Sequence, residues 1–131
     1  MDIMLDIETL GTKPETVILT IGAVKFDTET GIVDKFYRTV DLRTSKAVGL
    51  HVDPETVGWW NNQSKEARQA LLKDNVSLTQ ALDDFTAWFG PKSLPVWGNG
   101  AGFDNVIIEN AYIACGMKRP WSCWDDRCYR T

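Results

Sequence analysis

The stretch Met4-Leu5-Asp6-Ile7-Glu8-Thr9-Leu10-Gly11 carries two carboxylates out of an apolar strand. Alternation along an extended chain puts Ile3, Leu5 and Ile7 on one face and Met4, Asp6 and Glu8 on the other. Two acids side by side repel each other, and a buried charge left unpaired costs on the order of several kcal/mol. A divalent cation between them would remove that cost. The alternative is that the strand simply ends here and both acids are solvated as the chain turns at Gly11. The stretch alone leaves both readings open.

Outward from it, residues 12–15 read as a loop. Residues 17–26 form a long apolar run rich in β-branched side chains, the pattern of a central strand. Asp27-Thr28-Glu29-Thr30-Gly31 has the length and chemistry of a hairpin turn, and residues 32–40 return as a third strand. Helix signals begin at Asp53, an N-cap followed by Pro54 at the first helical position, in a short helix bearing Val57, Trp59 and Trp60. A second helix starts at Ser64 and runs to Leu72. Ser77-Leu78-Thr79-Gln80 fits a capping box, after which Leu78, Ala81, Leu82, Phe85, Trp88 and Phe89 recur at helical spacing until Gly90-Pro91. That aromatic stripe reads as core. Residues 94–97 make a short strand, 98–102 a glycine-rich loop, and 103–115 a helix closed by Gly116. Residues 124–129 offer one more strand. Three strands joined in antiparallel fashion, then helices, then a strand–helix unit, predict an α/β fold with a mixed sheet flanked by helices.

A chain of 131 residues, 44% hydrophobic and 24% charged, has the size and composition of one globular domain. No apolar run approaches the roughly 18 residues of a membrane span, and no basic-then-apolar leader opens the chain, so the expectation is a cytoplasmic protein without membrane contact. Cys115, Cys123 and Cys128 lack both a C-x-x-C spacing and a nearby histidine, which reads as reduced thiols rather than a zinc site. The net charge of −4 argues against broad electrostatic capture of nucleic acid. A nuclease remains compatible with it, because acids that bind divalent ions lose their negative field.

The next carboxylate of interest is Asp104, where the glycine-rich loop enters a helix beside a strand end. By position alone it reads as a cap. It shares with Asp6 and Glu8 a place at the end of, or just after, an apolar strand, and neighbouring strands of one sheet bring such ends together. Asp6-Ile7-Glu8-Thr9-Leu10-Gly11 resembles the first motif of the DEDD (DnaQ-like) 3′-5′ exonucleases, whose fold is ribonuclease H-like. Gly98-Asn99-Gly100-Ala101-Gly102-Phe103-Asp104-Asn105 resembles their second motif, in the form used by a phage and bacterial 3′-5′ exoribonuclease group. That group's pattern also extends over residues 53–63 and 124–131, so the resemblance spans nearly the whole chain.

The resemblance implies hydrolysis of phosphodiester bonds from the 3′ end of single-stranded RNA or DNA. Two Mg²⁺ or Mn²⁺ ions roughly 4 Å apart would clamp the scissile phosphate. Asp6 would bridge both ions, Glu8 would hold the one that activates water, and Asp104 the second; hard cations favour such oxygen ligands. Thr9 and Leu10 would lie against the terminal nucleotide, Leu10 as an apolar wedge, and Asn99 belongs with the substrate side of the second motif. Phe103 either stacks on a base or packs inside. Trp59 and Trp60 point about 100° apart on one helix, so one belongs to the core while Trp60 with Gln63 is the candidate border of the substrate channel. Homodimers are common in the superfamily, and a homodimer is expected here on that ground alone.

One departure stands out. The superfamily's third motif, a histidine followed five residues later by an aspartate on a C-terminal helix, is not matched: the only histidine, His51, has Thr56 five residues on and precedes the helices, and reads as a surface loop residue. The tyrosine variant fails too, since two residues follow Tyr129. Asp125 and Asp126 are not replacements by motif; Asp126 reads as orienting Arg127 or the strand end. The expectations are therefore a 3′-5′ exonuclease domain lacking its C-terminal helix and impaired in this form, an inactive nucleic-acid-binding or interaction module of the same fold, or a site completed by a neighbouring chain.

Overall fold

The computed structural model describes residues 1–99 and 103–128. Five strands form one mixed sheet in the order β3-β2-β1-β4-β5. The acid-bearing strand, β1 (Asp2–Thr9), is central. β2 (Ile18–Asp27) runs antiparallel to it and turns through Gly31, at φ 81°, into the antiparallel edge strand β3 (Gly31–Thr39). On the other side β4 (Val96–Gly98) and then β5 (Asp126–Cys128) lie parallel to β1. Five helices complete the fold among the described residues: α1 (Leu42–Ala47), α2 (Pro54–Asn61), α3 (Lys65–Ala70), α4 (Leu78–Phe89) and α5 (Asp104–Ala114). None is long and apolar enough to cross a membrane.

One sheet face builds the core. Leu5 pairs with Ala23 and Ile7 with Ile21, and Ala23 pairs onward with Phe36, so these side chains share a face. α4 covers it with Leu78, Ala81, Leu82, Phe85 and Phe89, and α5 adds Ile107, Ile108, Ala111 and Tyr112. The Phe36 ring meets Phe85 edge-on at 5.3 Å and Trp88 at 5.5 Å. Each large side chain fully buried here contributes about 1.5–3 kcal/mol. Tyr112 joins the two helices: its hydroxyl donates to the Leu82 carbonyl at 3.2 Å and shares a 2.8 Å hydrogen bond with Thr86, and burial pushes the phenol up to about 12.

Local chemistry sets most boundaries where expected. Asp53, Ser64 and Ser77 accept from the backbone N–H of Glu55, Ala67 and Gln80 and so cap α2, α3 and α4. α1 is an addition: its Leu-Arg-Thr-Ser-Lys-Ala sequence has no apolar period, and it forms because the Asp41 carboxylate caps Arg43 N–H at 3.0 Å. The last strand begins later than its sequence suggests, because Ser122 starts a 3₁₀ turn over Cys123–Asp125 and pairing begins only at Asp126. Gly100, Ala101 and Gly102 of the glycine-rich loop, and Tyr129, Arg130 and Thr131, lie outside the described residues. His51 is exposed, while its backbone pairs with the segment before β2, donating to Glu15 O and accepting from Val17 N, each at 2.8 Å.

Candidate active site

The face of β1 opposite the core carries Asp6 and Glu8, both exposed. Across the sheet, Asp6 pairs with Gly22 and Gly22 with Tyr37; Glu8 pairs with Thr20 and Thr20 with Thr39. Gly22 keeps this face clear beside Asp6: a Cβ there would lie 3.2 Å from the Asp6 carbonyl oxygen and 3.7 Å from the Tyr37 ring. Just past Glu8 the register shifts, and this bulge buries both Thr9 and Leu10. Thr9 donates its hydroxyl to Gly11 O at 2.6 Å, and Leu10 is held through both backbone groups, to Val17 O at 3.0 Å and from Asp53 N at 2.7 Å. The Trp60 indole donates to Thr9 O at 3.1 Å. The strand end bearing the acids is thereby fixed from three directions.

Asp104 reaches the same end of the sheet through the parallel pairing of β1 with β4, in which Ile3 faces Val96 and Met4 faces Trp97. It is buried in the first turn of α5. It does not cap that helix, since the N-cap position is held by Phe103 without a side-chain bond. Its Oδ2 instead accepts the Asn99 N–H at 2.8 Å, and the Ile7 N–H also points to this carboxylate. Two amides thus aim Asp104 between the loop and the acid strand.

Next to it, Asn105 binds the sheet. Its Nδ2 donates to Val96 O at 2.9 Å and to Asp126 Oδ1 at 3.0 Å, so one amide ties α5 to β4 and β5. Asp126 also accepts from the Trp121 indole at 2.7 Å and from Arg119 at 3.2 Å. Of the two readings of Asp126, the carboxylate therefore holds the strand end rather than Arg127, whose guanidinium, among the described residues, donates to the carbonyls of Trp124 and Asp126. Gly98 lets the helix come this close: a Cβ there would sit 2.5 Å from Asn105 Oδ1 and 3.3 Å from the Asp104 Cβ.

Two of the three acids, Glu8 and Asp104, are held in their charged form against burial and neighbouring charge. Burial pushes the Glu8 carboxyl up, and the charges of Asp6 and Asp104 push it further. Burial likewise raises Asp104, against the pull of the Asn99 and Ile7 amides, and Asp6 adds to the rise. Among the described residues none of the three is paired with Lys or Arg. The donor set is therefore hard, anionic and short of positive charge, which suits a divalent cation. Among the described residues, however, no group of three or more His, Cys, Asp or Glu side chains is placed to hold a metal ion.

The other candidates fall as follows. Thr9 and Leu10 line the buried turn after Glu8. Asn99 is exposed and contributes its backbone N–H to Asp104. Phe103 is half-buried and packs against the core. Trp60 also packs against the core, its ring meeting that of the exposed Trp59 edge-on at 4.9 Å. Gln63 donates back to Trp59 O at 3.0 Å. Sequence reasoning missed Gly22, Asn105 and the Trp60–Thr9 link. Gly22 had a signal, as a glycine inside a β-branched run; Asn105 had none, because its partners lie 9 and 21 residues away.

A family profile described as "3'-5' exoribonuclease Rv2179c-like domain" matches residues 1–131. An exodeoxyribonuclease of Enterobacteria phage T4 is 25% identical over 159 aligned residues, which cover 99% of this chain and 69% of the phage protein. Among solved structures, the metal-free E. coli exonuclease I–single-stranded DNA complex superposes with a TM-score of 0.63 at 19% identity, over 98% of this chain and 28% of that one. Exonuclease I from Methylocaldum szegediense gives a TM-score of 0.67 at 12% identity, over 97% and 27%. The chain thus spans little more than a quarter of the length of these structures. The likeness establishes the ribonuclease H-like fold.

Proposed function

The chain belongs to the 3′-5′ exoribonuclease Rv2179c-like domain family, and from that premise we propose that it removes nucleotides from the 3′ end of single-stranded nucleic acid by divalent-metal-dependent phosphodiester hydrolysis. What supports this reading is that Asp6, Glu8 and Asp104 lie near enough at one sheet end for their charges to raise the Glu8 and Asp104 carboxyls, with no Lys or Arg paired to them among the described residues. Asp6, Glu8 and Asp104 would hold two Mg²⁺ or Mn²⁺ ions. When bound, the ions supply charge neutralisation and Lewis acidity at the scissile phosphate. The protein's part is placement. The amides of Asn99 and Ile7 keep Asp104 aimed, the Trp60 indole and the Asp53 N–H fix the backbone after Glu8, and Gly22 leaves the face beside Asp6 open to substrate. A single-stranded substrate accords with the E. coli exonuclease I complex, which holds single-stranded DNA, and a metal site accords with that enzyme's zinc-bound form.

That no three such side chains are placed to hold a metal ion among the described residues favours one competing reading, a module that binds nucleic acid without cutting it. His51 supplies no base beside the acids; it lines a separate cavity with Gly11, Lys13 and Asp53. The two readings part in one assay. Incubated with 5′-labelled single-stranded RNA and DNA, the protein should shorten the strand stepwise from its 3′ end in Mg²⁺ or Mn²⁺ and not in EDTA. Asp6→Ala should lose at least about 10²-fold in rate, as when an electrostatic stabiliser of the transition state is removed. Retained binding without shortening in either metal would establish the module.

A further inference from the structure

The fold gathers cations that the sequence scatters. An open groove of about 690 Å³ lies between α1, α2 and the end of α3, with Leu10, Val57, Trp60 and Leu71 on its floor and Arg43, Lys46 and Arg68 around it. The volume falls within the roughly 300–1,000 Å³ range of ligand pockets. Arg43 is paired with Asp41 at 2.8 Å, and Asp41 is the one acid that lines the groove. Among the described residues neither Lys46 nor Arg68 is in an ion pair. A chain of net charge −4 therefore presents a local surplus of positive charge around an apolar floor. Leu72, 68% exposed, extends that floor to solvent.

The groove meets the end of β1 from the core side, while Asp6 and Glu8 leave that strand on its other face. Leu10, on its floor, is two residues beyond Glu8, and the Trp60 indole reaches from the floor to the Thr9 carbonyl. Apolar surface ringed by cations matches a polymer that alternates flat bases with phosphates. We propose that this groove seats the nucleotides lying 5′ of the scissile bond, with bases on Trp60, Val57 and Leu71 and phosphates at Lys46 and Arg68. The assignment deepens the exonuclease reading and rests on it.

Binding of 5′-fluorescein oligonucleotides, followed by anisotropy on an Asp6→Asn background that leaves the strand intact, tests it. The double variant Lys46→Gln/Arg68→Gln is compared with Lys35→Gln/Lys92→Gln, which removes two exposed lysines outside the groove. The groove variant should bind an octanucleotide about tenfold more weakly, and its log–log salt dependence should be shallower by about 1.4, two single-strand phosphate contacts at roughly 0.7 each. Its affinity for a nucleoside 5′-monophosphate, which has no nucleotide 5′ of a scissile bond, should equal the control's. Equal octanucleotide affinity and slope in the two variants overturn the proposal, as does an equal loss for the nucleoside monophosphate. If a Glu-Leu peptide loses affinity in the groove variant while the octanucleotide does not, the groove docks protein and the proposal is wrong. Failure of the unmutated protein to bind or shorten any oligonucleotide overturns the exonuclease reading and the groove with it; shortening that persists while the variants match removes the groove alone.

Discussion

Glu8 pays for its neighbours. Its folded carboxyl sits above the ordinary value of 4.5 because of burial first and the charges of Asp6 and Asp104 second. A raised carboxyl binds more protons folded than unfolded, so its ionisation weakens the fold; the deficit is complete above the folded value and vanishes below the unfolded one. Glu8→Gln should therefore raise the metal-free melting temperature at neutral pH by about 1–3 °C, a small gain because an exposed carboxylate is screened by solvent. In scans with EDTA the difference from the unmutated protein should shrink as pH falls through the raised folded value and be gone below about 4.5. A difference that persists in acid would mean that packing, not charge, sets it. The same variant should fail to shorten oligonucleotides, separating an acid kept for chemistry from one kept for stability.

At the scale of elements, the contact between β4 and α5 sets where Asp104 points. Gly98→Ala would drive a methyl group to 2.5 Å from Asn105 Oδ1, displacing the helix start that carries Asp104. It should destabilise the protein by about 1–3 kcal/mol in urea titration, the usual cost of overpacking, and lower hydrolysis beyond what the lost stability explains. This junction also shows what the sequence could tell. Strands β1 to β3 and helix α4 follow from periodicity and turn chemistry, because their signals are local: alternation, a Gly31 turn, a Ser77 cap. The Asp6–Glu8 pair was legible for the same reason. The Asn105–Asp126 and Trp60–Thr9 bonds were not, since each joins residues that meet only after folding, at separations of 21 and 51 residues, and α1 was missed because its sequence has no apolar period beside its local Asp41 cap.

Across the whole molecule, order is unevenly distributed. β1 is paired on both sides and packed under α4 and α5, whereas α2 and α3 bury no side chain fully. Hydrogen exchange should show this as two tiers: amides of β1, β2 and α4 exchanging through global unfolding, and those of α2 and α3 faster by on the order of 10²-fold or more through local opening. Uniform protection across both tiers would contradict it. The shallow seating of α2 and α3 has a consequence over generations of sequence change. Mutations on their outer surfaces cost little folding energy and leave the strand that carries the acids where it is, so these two helices can change in sequence over generations without disturbing the sheet.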